Sequence, residues 1–121
     1  METELVNLKE RVEALDQKVM DGQILEAVSA FFHPEVITKE GNGAETKGLI
    51  EKIAKLQEFF QGISSVNDIK LHSQAVGDDV TMSEFTFDLT QSNGGHILWN
   101  EVLRRKWKDG LVINERYYTA D

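Results

Sequence analysis

Cysteine is absent from the 121 residues, which removes disulfides, thiolate metal sites and a cysteine nucleophile from consideration. Proline occurs once, at Pro34, and no low-complexity linker or internal repeat divides the chain. No apolar run approaches the roughly 18 residues of a membrane span, and the acidic N-terminus lacks the basic-then-apolar pattern of a secretion signal. These absences set two expectations, no membrane partner and a cytoplasmic location. Basic side chains are also scarce: 13 Lys and Arg against 21 Asp and Glu give a formal net charge of −8. A surface of that sign repels a phosphate backbone, so no nucleic-acid partner is expected. The one basic run, Arg104-Arg105-Lys106 with Lys108, falls in a strand pattern that points its side chains alternately to two faces.

What remains is an ordinary globular composition, 40% apolar and 28% charged, of a length suited to one domain over residues 1–121. Leu5, Leu8, Val12, Leu15 and Val19 recur at helical spacing, and Asp21-Gly22 interrupts them, with the aspartate placed to cap a following helix. Ile24, Leu25, Val28, Phe31 and Phe32 line that second helix, which Pro34 ends at His33. A short strand at Val36–Lys39 and a glycine-rich polar loop follow. A third helix then carries Leu49, Ile50, Ile53, Leu56, Phe59 and Phe60, and Gly62 closes it.

From Ile69 onward the period becomes two. Strands read as Ile69–Val76, Val80–Thr90, Ile97–Trp107 and Val112–Thr119, turning at Asp78-Asp79, Asn93-Gly94 and Asp109-Gly110. Asn-Gly and Asp-Gly are strong signals for two-residue hairpin loops, because both residues tolerate positive φ. The order predicts an α+β fold: a cone-shaped, curved antiparallel sheet whose concave face is covered by three N-terminal helices.

Two-residue loops fix which side chains share a face. Asp88, Thr86 and Glu84 then oppose Trp99, Glu101 and Leu103, while Leu103, Glu101 and Trp107 oppose Arg116, Tyr118 and Val112. One face holds Ile69, Leu71, Met82, Glu84, Thr86, Asp88, Trp99, Glu101, Leu103, Arg116 and Tyr118. The other holds Phe85, Phe87, Leu89, Leu98, Val102, Ile113 and Tyr117. With the helices over the first face, Glu84, Glu101 and Arg116 form a charged floor beneath them, and buried charges require partners or a wet cavity. The second face is then a large apolar patch, which implies a partner surface: a homodimer through Phe85, Phe87, Leu98, Val102, Ile113 and Tyr117. The opposite assignment, helices over the second face and the first solvated, is the alternative.

The runs "FFHPEVI", "SEFTFDL" and "NEVLRRKWKDGLVINERYY" resemble SnoaL-like proteins of the nuclear-transport-factor-2-like superfamily, with its cystatin-like fold, over nearly the whole chain. That superfamily includes ketosteroid isomerases, polyketide cyclases, epoxide hydrolases, dehydratases and proteins that only bind, so the resemblance implies a shape more than a reaction. It places Glu40 where the isomerase has its proton-shuttling aspartate. Leu103 falls where that enzyme has a second acid, and Leu15 or Asp16 near its catalytic tyrosine. Loss of such oxyanion donors costs a few kcal/mol of transition-state stabilisation, which argues against steroid isomerisation. The family's pocket-lining positions match Glu84, Thr86, Asp88, Trp99, Glu101, Asn114, Arg116 and Tyr118.

The candidate catalytic residues are therefore Glu40 or Glu101 as base and Arg116 as electrostatic partner. Glu84, Thr86, Asp88, Trp99, Leu103, Asn114 and Tyr118 are the candidate pocket lining. No cofactor is implied. His33, His72 and His96 do not converge on one locus, so no metal site is expected. No phosphate loop, dinucleotide fingerprint or nucleophile elbow occurs. The expected function is a small-molecule pocket protein, either a cofactor-free isomerase or cyclase acting on a small hydrophobic substrate, or a non-catalytic ligand-binding or dimeric interaction domain.

Overall fold

A computed structural model describes residues 7–119 of the chain. Helix α1 spans Leu8–Met20 and is capped by Asn7, whose side chain accepts from the backbone of Lys9 and Glu10. Leu5, the first residue of the predicted stripe, lies outside the described residues. Asp21 closes α1 instead of capping the next helix, and α2, Ile24–Phe31, begins without a side-chain cap. After α2 the chain enters strand β1, Phe32–Lys39, so Pro34 sits inside a strand, where the β1–β6 register is irregular. Strand β2, Glu45–Lys47, was not legible in the polar loop. Helix α3, Leu49–Gln61, ends at Gly62 as expected. Strands β3 (Ile63–Val76), β4 (Val80–Gln91), β5 (His96–Lys108) and β6 (Leu111–Thr119) complete the fold. No helix among the described residues is long and apolar enough to cross a membrane.

The six strands form one sheet in the order β2-β1-β6-β5-β4-β3. The α+β expectation holds, but the sheet is mixed: β1 runs parallel to β6. The register of β3 against β4 shifts in three places, and β6 carries a further irregularity. An extra residue bends a strand and raises its twist, so these shifts curl the sheet around its helices. Valines 12 and 19, Leu15, Ala27, Val28 and Phe31 from α1 and α2 pack on Phe85, Phe87, Leu103, Trp107 and Val112 of the inner face. Arg11 ties α1 to the β5–β6 turn, its Nε donating to the Gly110 carbonyl at 3.1 Å.

Two register slips overturn the predicted faces. At Asn93-Gly94 the loop has three residues, not two: Gln91 N–H donates to the Gly95 carbonyl at 2.7 Å, and Gly94 N–H to the Gln91 carbonyl at 2.9 Å. Gly94 has φ 89°, the left-handed residue that follows a type I turn in a three-residue hairpin. Phe87 therefore opposes Trp99, Phe85 opposes Glu101 and Ser83 opposes Leu103. At the other hairpin the prediction holds locally, since Asp109 (φ 53°) and Gly110 (φ 80°) make the expected two-residue turn and Trp107 opposes Val112. A bulge then leaves Ile113 without a partner, so Leu103 opposes Tyr117 and Arg105 opposes Glu115. The slips turn β4 and β6 over relative to β5. Phe85, Phe87 and Tyr117 consequently face the helices and cannot form an outer contact, whereas Leu98 and Val102 stay outside.

Candidate functional site

The inner face of the cone encloses a cavity of about 510 Å³ beneath the three helices. Its walls are apolar: Leu15 and Val19 from α1, Ile24 and Val28 from α2, Leu56 from α3, and Phe87, Leu89 and Leu103 from the sheet. Phe59, Phe60 and Trp99 also line it, with the Phe59 and Trp99 rings stacked 5.4 Å apart. Trp99 is partly in solvent, which locates this stack at an open side of the cavity.

Beside the apolar walls lies a chain of buried charges. Arg105 on β5 donates through Nη1 to Asp16 Oδ1 at 2.6 Å and through Nε to Glu115 Oε2 at 2.9 Å. Lys52, on the inward face of α3, donates to Glu115 Oε1 at 3.0 Å, to Thr38 Oγ1 at 2.9 Å and to the Tyr117 hydroxyl at 2.9 Å. Gln74 and Ser83 complete the partners of Asp16. Four formal charges thus cancel in pairs, each held by two or more hydrogen bonds, the condition under which burial of ions is tolerated. Burial alone would raise the Glu115 carboxyl, but Lys52 and Arg105 outweigh it and hold the group below the usual carboxylate range. Against the same opposing effect of burial, Asp16 and Glu115 raise the Arg105 guanidinium. Tyr117 is pushed well above the ordinary phenol value by burial first and by the Glu115 and Glu101 carboxylates second.

Glu101 stands apart from this chain. It lines the cavity on β5, two residues from Leu103 on the same face, and no hydrogen bond from another described residue reaches its carboxylate. Burial raises its pKa to about 7, and the negative charges of Glu115 and Glu40 add to the shift. Glu40 reaches the cavity from the β1–β2 loop. That loop repeats the hairpin geometry of the β4–β5 turn, with Gly43 N–H donating to the Glu40 carbonyl at 2.9 Å and Gly43 at φ 90°.

Of the residues predicted from sequence, Glu40, Glu101, Trp99 and Leu103 line the cavity together. The others do not. Glu84, Thr86 and Asp88 point to the outer face because β4 is turned over by the three-residue loop. Asn114, Arg116 and Tyr118 follow β6 outward beyond its bulge, and Arg116 lies over the Tyr118 ring at 4.9 Å. Arg116 therefore cannot serve Glu101 as electrostatic partner. Sequence reasoning missed Asp16, Lys52, Arg105, Glu115 and Tyr117 as members of one network. A signal existed: Asp16 follows Val12 by four and precedes Val19 by three, and Lys52 stands likewise between Leu49 and Leu56. Each is a charge on an inward helical stripe.

No protein-family model matches the sequence, and no curated protein does. Solved structures match its shape. A provisionally named SnoaL-like polyketide cyclase from Mesorhizobium loti superposes with a TM-score of 0.84 at 19% identity, covering 93% of this chain and 99% of that one. A protein of unknown function with a cystatin-like fold from Xanthomonas campestris gives 0.82 at 16% identity, over 96% and 92% of the two chains. An NTF2-like protein of unknown function from Burkholderia pseudomallei gives 0.77 at 16% identity, over 99% and 92%. The chain has the NTF2-like, cystatin-like fold, as the sequence resemblance implied.

Proposed function

We propose that the cavity binds a small, largely apolar molecule and that Glu101 exchanges a proton with it, as in a cofactor-free isomerase or cyclase. One observation carries this reading: Glu101 is a carboxylate facing an apolar cavity while every ion of the neighbouring network is already paired with one of opposite charge. A pKa of about 7 leaves such a group half ionised at neutral pH, where it both accepts and returns a proton. The apolar walls and the Phe59–Trp99 stack suit a flat, weakly polar body, and a cavity with a few polar groups is the usual form of a small-ligand site. The likeness to a protein named as a SnoaL-like polyketide cyclase supports the reading at the level of fold. Glu40 shapes the charge around Glu101 and is the second candidate for proton transfer.

Fluorescent naphthol tests this directly, being a flat apolar molecule whose hydroxyl turns strongly acidic when excited. The expected result is saturable binding, with emission from the ionised form at pH 8. Glu101→Gln retains binding but emits from the neutral form, and Leu103→Trp, which fills the cavity, binds weakly. Absence of saturable binding would remove the ligand site. Binding with unchanged emission in Glu101→Gln would leave a binding protein without proton transfer.

A further inference from the structure

The charges that line the cavity do not balance. Lys52 and Arg105 are neutralised by Glu115 and Asp16, with ion pairs between 2.6 and 3.0 Å. Lys55, on α3 at the rim, has Glu51 at 3.7 Å and donates to Thr46 Oγ1 at 2.8 Å. Two carboxylates are left over. Glu40 and Glu101 both line the cavity, both are half-buried, and neither belongs to an ion pair among the described residues. Burial, the charge of Glu115 and the charge of Glu40, in that order, oppose ionisation of Glu101. Like charges that face one apolar space are costly, and a cation between them removes that cost.

The neighbouring wall also suits a cation. Trp99 stands two residues before Glu101 on the same face of β5, about 7 Å along the strand. Its ring stacks on Phe59 at 5.4 Å, and Phe60 meets Phe59 edge-on at 5.3 Å. Aromatic faces attract ammonium groups, and the rings cover the methylene groups that an organic amine carries. A bare metal ion is a poorer fit. Hard cations take about six oxygen ligands, and no three His, Asp or Glu side chains gather to hold one among the described residues.

We propose that the molecule held in this cavity is an organic amine in its protonated form, its ammonium between Glu40 and Glu101 and its apolar body against the Phe59–Trp99 wall. The inference rests on the cavity being a small-molecule site and adds the charge of its occupant. Glu40 then acts as counter-ion. The positive charge favours the ionised form of Glu101, the form that accepts a proton.

Three probes of one shape and different charge test this: 2-naphthylmethylammonium, neutral 2-naphthylmethanol and anionic 2-naphthoate, titrated calorimetrically into the full chain at pH 8. The expected result is that the ammonium binds about tenfold more tightly than the alcohol, with naphthoate the weakest. Glu40→Gln and Glu101→Gln each lower the ratio of ammonium to alcohol affinity. A wild-type ratio of one or less overturns the inference and leaves the apolar site standing. Tightest binding of naphthoate overturns it as well, and would assign Lys55 to an acidic ligand. A preference that both variants preserve overturns the place of the ammonium between the two carboxylates. If none of the three probes saturates, the small-molecule site itself falls, and the inference with it.

Discussion

At the scale of single residues, Glu101 is stabilising in one protonation state and costly in the other. Its folded-state pKa of about 7 lies above the ordinary glutamate value of 4.5, so the native state prefers the protonated form. Stability from this group is complete below the unfolded value and is lost as pH rises through about 7. The shift corresponds to about 3 kcal/mol at full burial, and solvent at this partly open site reduces it to about 2 kcal/mol. Glu101→Gln is accordingly expected to be more stable than wild type by about 1–2 kcal/mol at pH 8 and nearly equal to it at pH 4. Urea unfolding at the two pH values measures the difference. A variant less stable at pH 8 would show that the carboxylate has a partner in the native state.

At the scale of elements, the hairpins decide what the cavity contains. Gly94 occupies the left-handed region at φ 89° with open space around it, so Gly94→Ala is expected to cost about 1 kcal/mol through backbone strain alone. Deleting Ser92 is a different perturbation. It leaves Asn93-Gly94 as a two-residue loop between the same Gln91 and Gly95, so Phe87 stays opposite Trp99 and Phe85, Phe87 and Leu89 stay in the core. The deletion variant is therefore expected to keep its cooperative thermal transition, within about 1–2 kcal/mol of the wild type. A deletion variant that loses that transition would contradict the pairing of Gln91 with Gly95. The same hairpins show where sequence reasoning ran out. Periodicity located the three helices and the four long strands, and Asp109-Gly110 turned as its two positive-φ residues require. Asn93-Gly94 did not, because an Asn-Gly pair fits a two-residue loop or the end of a three-residue loop equally well. The Gly95 that follows left both open. Bulges such as that at Ile113 leave no mark in a pattern of period two until the register is seen. Strand β4 did hold a usable signal, since Phe85, Phe87 and Leu89 share the face opposite Glu84, Thr86 and Asp88. Placing that apolar face under the helices was the simpler choice.

At the scale of the whole molecule, the candidate site exists only because distant parts of the chain close on one another. Glu101 comes from β5, Glu115 from β6 and Glu40 from the β1–β2 loop, and parallel pairing of β1 with β6 brings the third carboxylate round to the other two. Asp16 and Lys52 descend from two helices to neutralise the ions beside them and leave Glu101 unpaired. None of these contacts is local in sequence, which is why four of the cavity-lining residues were legible from pattern while the network was not. The protonation of Glu101 therefore reports on the closed cone as a unit. Its side-chain carboxyl resonance, carbon-13 labelled and assigned through Glu101→Gln, is the most direct measurement of the account. The expected titration midpoint is about 7 in the wild-type protein, falling in Glu115→Gln as the charge of that neighbour is removed. A midpoint near 4.5, the value of an unperturbed glutamate, would contradict it.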